Sequence, residues 1–518
     1  MKLGSLRHWS TASGAVVAEL PPEVGAEQIF AGLGRQNGLL FLDSSSVSEA
    51  DSVAGVGPSG STTVGPLDRF SFLAADPIFS FTLPAAAATA EEVRAVLAEA
   101  QRLLEDCRSP AIPGLPPFQG GLAGLISFDA GLAHLGVEPA VRQRAGLALL
   151  ELGVYDVVYA IDHERHRGWA ISQGVPARGP GSRRRRAMER LEGQLGLISG
   201  TMPPLARRSA GSPSDIPIQS PAGPSLVPVP PGMVPLADSR GVFSTHTPAD
   251  YQAMVQAGID YVRAGDIFQV NLAQQFFVPL ACDAQELYRR ARQLNPAPFA
   301  GFFHSGESCI ASMSPERFMK VKGDRVWMHP IKGTRRMLAS PEADLWAGAD
   351  LGASEKDRAE NVMIVDLVRN DLARVCRPAS VAVEALCRLE RFRYVQHLVS
   401  VVTGRLMTGA STLDAVLAGF PGGSVTGAPK QRACEIIGEL ERNARGAYCG
   451  SLGYIGFDGA ADFNLLIRTF VVGSDDVLFS AGGGITVGSN PAAEYAESLH
   501  KAEGMLRVIA AVAGEDSA

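Results

Sequence analysis

The residues of this 518-residue chain whose types and spacing suit chemistry are concentrated in its second half. Lys332 stands in Pro330-Ile331-Lys332-Gly333-Thr334-Arg335, beside a glycine at the end of a strand-like segment, with Ser314-Pro315-Glu316-Arg317-Phe318 upstream. A lysine next to glycine can lie against a ligand with little crowding, and once desolvated its free amine is a nucleophile. Composition alone fits an ordinary Lys-Gly turn as well. Asp357 and Glu360, three residues apart, open an amphipathic helix through Ile364, Leu367 and Val368, and share a face. Glu494 and Glu497 repeat that spacing, with Lys501 one turn on. Two such helices face to face would offer oxygen ligands to magnesium; the same spacing describes two solvated helix faces.

Two glycine-rich stretches complete the set. Pro421-Gly422-Gly423-Ser424-Val425-Thr426-Gly427-Ala428-Pro429-Lys430 leads into a helix carrying Ile436, Ile437 and Leu440. Its backbone N–H groups and the Thr426 hydroxyl are suited to an anion at a helix N-terminus. Gly482-Gly483-Gly484-Ile485-Thr486 follows the strand Val477 to Ser480 and reads as a turn offering unobstructed N–H groups to a carboxylate. Neither matches a nucleotide fingerprint, because Lys430 is not followed by Ser or Thr and neither stretch contains GxGxxG.

The elements that must position these residues are of mixed α and β type. Gly38 to Leu42, Phe70 to Ala74, Val154 to Ile161 and Phe268 to Phe277 read as strands. Glu91 to Cys107 has helical spacing through Val93, Val96, Leu97, Leu103 and Leu104. Thr247, Pro248 and Asp250 form a helix start, with hydroxyl cap, proline in the first turn and acid at the third position. Ser44 to Gly65 reads as a surface loop. Residues 173–240 carry an Arg run, Arg183 to Arg186, which fits a solvated helix face, and then a tract dense in Pro, Ser and Gly that reads as a mobile linker. The expected organisation is therefore 1–172, a linker over 173–240, and 241–518.

Composition excludes several classes. Lys and Arg number 47 against 54 Asp and Glu, a formal charge of −7. Neither nucleic acid nor an anionic membrane attracts such a chain at long range. No apolar run reaches the roughly 18 residues of a membrane span, and Met1 to Gly14 lacks the apolar core of a secretory signal. Seven cysteines without a CxxC pair argue against a disulfide framework or zinc site. A cytoplasmic location is expected.

Taken together and in order, SPERF, PIKGT, EKDRAEN with MIVDLVRND, QHLVS, FPGGSVTGAPK, YCGSLGY, IRT, AGGGIT and AEYAES resemble the chorismate-utilising enzymes. The likeness is dense from Thr247 onward and thinner in Asp68-Arg69-Phe70 through Asp76-Pro77 and in Pro117 to Gly121. It implies an α+β fold of stacked β-sheets flanked by helices, with one site for chorismate and Mg2+. Carried over by motif, Glu360 and Glu497 would be the metal ligands, with Asp357 and Glu494 supporting. Arg468 and Tyr454 would hold the pyruvyl carboxylate with the Gly482, Gly483 and Gly484 backbone. Thr426 and His397 would line the ring, and Lys501 joins the substrate-binding set.

Within the family, the lysine of PIKGT resembles the aminodeoxychorismate synthase branch (component I), where anthranilate synthases carry alanine. The resemblance implies that Lys332 attacks C2 of chorismate, Glu316 protonates the leaving 4-hydroxyl, and ammonia displaces the lysine, serving 4-aminobenzoate and folate synthesis. Gln269 argues against water-adding branches, whose members place a basic lysine there. No cysteine lies in the Gly-rich elbow of a glutaminase, so ammonia is expected from a separate glutamine amidotransferase subunit or from solution. Leu40-Phe41-Leu42-Asp43-Ser44 stands where relatives have a tryptophan-site motif, so Ser44, Asp68, Arg69 and Phe70 mark a possible tryptophan pocket. The alternatives are an anthranilate synthase component I with an unusual lysine and a non-catalytic chorismate-binding subunit.

Overall fold

The computed structural model describes residues 1–34, 36–44, 69–84, 89–138, 147–198, 228–237, 239, 241–336, 350–391 and 395–514. Short apolar runs form its strands. Gly121–Ile126, Val157–Asp162 and Thr469–Val472 are buried at every position, the pattern of strands covered on both faces. Two antiparallel sheets result, of 14 and 10 strands among the described residues. Leu40, Phe72, Phe118, Phe303, Leu452 and Leu478, drawn from both halves of the chain, form one of three buried apolar clusters.

Both sheets are built from both ends of the chain. In the larger, Leu40–Asp43 pairs with Phe299–Ser305, Phe41 opposite Phe302. In the smaller, Gly121–Ile126 pairs with Ser451–Gly456, Gly124 opposite Gly453. Residues 1–172 and 241–518 are thus stretches of chain that share sheets, not separate layers. Within 173–240, helix Pro180–Leu197 buries Ala187, Leu191 and Leu195. Arg183 donates to Ser109 and Arg186 to the Val175 carbonyl, while Arg184 and Arg185 are exposed. The Pro/Ser/Gly tract from 199 to 227 lies outside the described residues.

One expected strand is two. Ala148–Tyr155 belongs to the smaller sheet and Val157–Asp162 to the larger. The chain crosses at buried Asp156, whose carboxylate takes a 3.1 Å hydrogen bond from Arg190 and whose carbonyl accepts from Gln173 N–H at 3.0 Å. The helix starts follow their caps. Thr247 and Asp250 form the reciprocal box at the head of Pro248–Ala264. Ser354 caps Glu355–Ala373 through the Asp357 N–H, and Asn490 caps Pro491–Ala513 through the N–H groups of Ala492 and Ala493. These last two helices carry the four acidic residues singled out by spacing. Among the described residues no helix is long and apolar enough to cross a membrane.

Candidate active site

The site is built on the ladder between Gln269–Val278 and Val477–Ile485, where Asn271, Leu272 and Ala273 face Gly484, Gly483 and Gly482. The glycine triplet is therefore strand and not the turn expected from composition. Gly482 is required by close approach: a Cβ there would stand 2.1 Å from the Leu272 carbonyl oxygen. On the faces so cleared, a Cβ at 484 would meet Gln269 Nε2 at 2.7 Å and Lys332 Nζ at 3.2 Å. One at 483 would meet Glu494 Oε2 at 3.1 Å, Lys501 Nζ at 3.6 Å and Glu497 Oε1 at 3.8 Å. The bare backbone thus touches the lysine side and the acidic side of one site.

Lys332 enters from strand Ile331–Arg336 of the smaller sheet, with Nζ 3.9 Å from Glu360 Oε2. Burial lowers its pKa, and Lys501 adds to that, while Glu360, Glu316 and Glu497 oppose it. Part of the amine's charge is thereby destabilised, the condition for a nucleophile. Glu316 is buried, and burial pushes its carboxyl up to about 7 against the hydrogen bond from Ser424 and the charge of Lys332. A carboxyl so placed holds a proton near neutral pH. Gln269 is fully buried, and neither amide atom of its side chain is hydrogen-bonded among the described residues.

His397 lies opposite Thr334 in the neighbouring strand Val395–Arg405. Burial, reinforced by Arg468, lowers its pKa to about 3, so the imidazole is neutral. Arg468 itself has a left-handed backbone (φ 52°), and its carbonyl accepts from Met313 N–H at 3.0 Å. Thr426 is buried, with Oγ1 donating to the Gly422 carbonyl at 3.0 Å and its own carbonyl accepting from Asn271 N–H. The turn and the first strand are thereby tied together.

The carboxylates come from two helices, Glu355–Ala373 and Pro491–Ala513. Burial raises Glu360, opposed by Lys332 and Lys356 and aided by Asp357 and Glu494. Burial would raise Glu497 too, but Lys501, bound at 2.7 Å, keeps its pKa below the ordinary value. Glu494 is buried and accepts from Ser489 at 2.7 Å. Asp357 lies against Gly333, within 3.1 Å of a Cβ built there. Among the described residues no three such side chains converge into a ready metal cluster. The donor set nonetheless suits a hard divalent cation in kind: Glu360 and Glu497, carboxylates from two helices, both act on Lys332, with compensating charge from lysines.

The structure corrects one assignment. Tyr454 is not among these groups: its ring stacks on Phe118 at 4.4 Å, with Phe72 at 5.7 Å, inside an apolar cluster. Alternation along Ser451–Gly456 turns it away from the face that carries Ile455. The N-terminal residues form a separate group. Ser44 Oγ donates to the Phe70 carbonyl at 2.8 Å, and Arg69 pairs with Asp162 and Glu164. Asp43 beside them is held by Arg292, Tyr288 and Ser71. Asp68 lies outside the described residues.

Sequence reasoning missed Ser424 and the buried pair Arg445–Glu441. Arg445 donates to both Glu441 oxygens, to the Val425 carbonyl at 2.8 Å and to the Asn271 carbonyl at 2.8 Å. An i,i+4 charge pair was the available signal, and surface pairs share it.

Known proteins resemble this chain in sequence and fold. Residues 60–507 match the chorismate binding enzyme family. The chain is 37% identical to anthranilate synthase component 1 of Streptomyces coelicolor over 77% of this chain and 74% of that one. It is 34% identical to aminodeoxychorismate synthase component 1 of Salmonella typhimurium over 86% and 90%. Anthranilate synthase component I from Streptococcus pneumoniae superposes with a TM-score of 0.68 at 27% identity, covering 90% of this chain and 99% of that one. This chain belongs to the chorismate binding enzyme family.

Proposed function

We propose that the chain is the large subunit of an aminodeoxychorismate synthase, converting chorismate and ammonia to 4-amino-4-deoxychorismate and water. The observation that carries this reading is the partly desolvated amine of Lys332, within reach of Gly484, Gln269, Glu316 and Glu360. Lys332 Nζ attacks C2 of the ring, both ring double bonds shift by one position so that one reaches C4, and the C4–O bond breaks. Glu316 gives its proton to the leaving hydroxyl, which departs as water. Ammonia then attacks C4, both double bonds shift back, the lysine amine leaves C2, and the proton released in the exchange of nitrogens returns to the Glu316 carboxylate. Gln269 accepts no proton at neutral pH and activates no water, which suits a nucleophile that needs no base. The neutral His397 and Thr426 line the ring, Arg468 and the Gly482 to Gly484 backbone hold the carboxylates, and Lys501 adds positive charge. Glu360 and Glu497 would hold Mg2+, supported by Asp357 and Glu494, and the ion would neutralise substrate carboxylate charge.

Anthranilate synthesis is the second reading, and the similarity to the Streptomyces coelicolor protein favours it. A non-catalytic subunit has no use for a buried acid, a desolvated lysine and paired carboxylates in one site. Ammonia is drawn from a glutamine amidotransferase partner or from solution. Incubation with chorismate, magnesium and ammonium, with products resolved by chromatography and mass spectrometry, decides the matter. Aminodeoxychorismate is expected; fluorescent anthranilate as the main product overturns the assignment in favour of the second reading.

A further inference from the structure

Glu316 lies between strands Ser308–Ser314 and Arg317–Lys322, and Ser424 Oγ donates to its Oε1 at 2.7 Å. The Ile331 backbone also works to lower the pKa of this carboxyl. Ser424 is the middle residue of the short helical turn Gly423–Val425, whose Val425 carbonyl is anchored by Arg445. The turn is clamped, so the hydroxyl is presented from a fixed backbone. A hydroxyl has one proton to give, and an oxygen that already accepts it is the poorer place for the acid's own proton.

We propose that Ser424 is a positioning residue for the acid step: by engaging Oε1 it leaves the acidic proton of Glu316 on Oε2, directed at the leaving hydroxyl. The inference rests on the amination reading, though it holds whichever ring carbon receives the nitrogen. As the C4–O bond breaks, its electron pair leaves with oxygen, the Oε2 proton completes a water molecule, and Glu316 is left as carboxylate. Ser424 then donates to that carboxylate and stabilises it.

The titratable groups facing Glu316 are Lys332 and the Cys449 thiol, the latter pushed up to about 12 by burial and hence uncharged. Glu316 must be protonated to act, so turnover in the wild type declines as pH rises through about 7. Ser424 stabilises the carboxylate; without it the proton is held to higher pH and the alkaline limb moves up. In Ser424→Ala we expect kcat to fall about tenfold, with KM for chorismate and thermal stability nearly unchanged, and the alkaline limb shifted upward. Ser424→Thr, which keeps the donor, should restore both rate and limb. A limb that stays in place in the alanine variant, or a lost rate that threonine does not restore, overturns the inference while leaving the amination reading intact. Absence of any aminated product from the wild type removes both.

Discussion

At Lys332 two opposed influences decide the chemistry. An ammonium in water holds its proton to about pH 10.4, and the neighbouring Glu360, Glu316 and Glu497 would hold it longer still. Burial wins over them, and the pKa falls. The adjacent Gly333 has φ 75°, a conformation glycine adopts without strain. Replacing Lys332 by alanine should leave chorismate bound but cut aminodeoxychorismate formation at least a hundredfold, about 2.8 kcal/mol at ~1.4 kcal/mol per tenfold. Wild-type protein given chorismate without ammonia should gain a substrate-derived mass on the peptide containing Lys332. Undiminished turnover in the variant, with no adduct in the wild type, would reduce Lys332 to a binding residue.

At the scale of elements, the glycine triplet and the two capped helices define the site. Ala at 484 would force its Cβ against Gln269 and Lys332, the ends of side chains able to yield. Such overpacking typically costs about 1–3 kcal/mol. Gly484→Ala should therefore fold with a lowered Tm and lose at least about tenfold in kcat, checked by thermal unfolding and steady-state kinetics; full activity would place the lysine elsewhere during turnover. Glu360→Gln and Glu497→Gln each remove an anionic oxygen from the acidic face, and each should lose most activity at limiting magnesium. Normal turnover of both under those conditions would refute the ligand assignment. The helix starts were legible because caps act locally, as Thr247 with Asp250 shows. The triplet was not, since glycine signals equally a turn and a close strand approach, and only the distant Leu272 carbonyl decides between them. Tyr454 was misplaced for the same reason: its stacking partner Phe118 is remote in sequence. Ser424 stood in a motif already noticed, but its acceptor lies 108 residues away.

For the whole molecule, the mixing of chain ends outweighs any division read from composition. The junction in the larger sheet pairs Ala300 to Phe303 with Asp43 to Leu40, and that in the smaller pairs Ser451 to Gly456 with Ile126 to Gly121. Breaking the molecule in two would expose the unpaired backbone of four strands together with buried side chains such as Phe41, Phe302 and Leu452. Strand edges and apolar surface of that kind are costly in water. The Pro/Ser/Gly tract, by contrast, is poor in apolar residues, and loop-closure entropy changes slowly with length. Deleting Ser212 to Pro231 should therefore leave folding and ammonia-dependent activity nearly intact, as size-exclusion chromatography and turnover would show. Limited proteolysis should cut native protein first in this tract, and the two products should co-elute and retain activity, held by the shared sheets. Fragments that separate without denaturant would mean that the two junctions contribute little, and that the halves are autonomous after all. An insoluble deletion protein would mean instead that the tract packs against the fold.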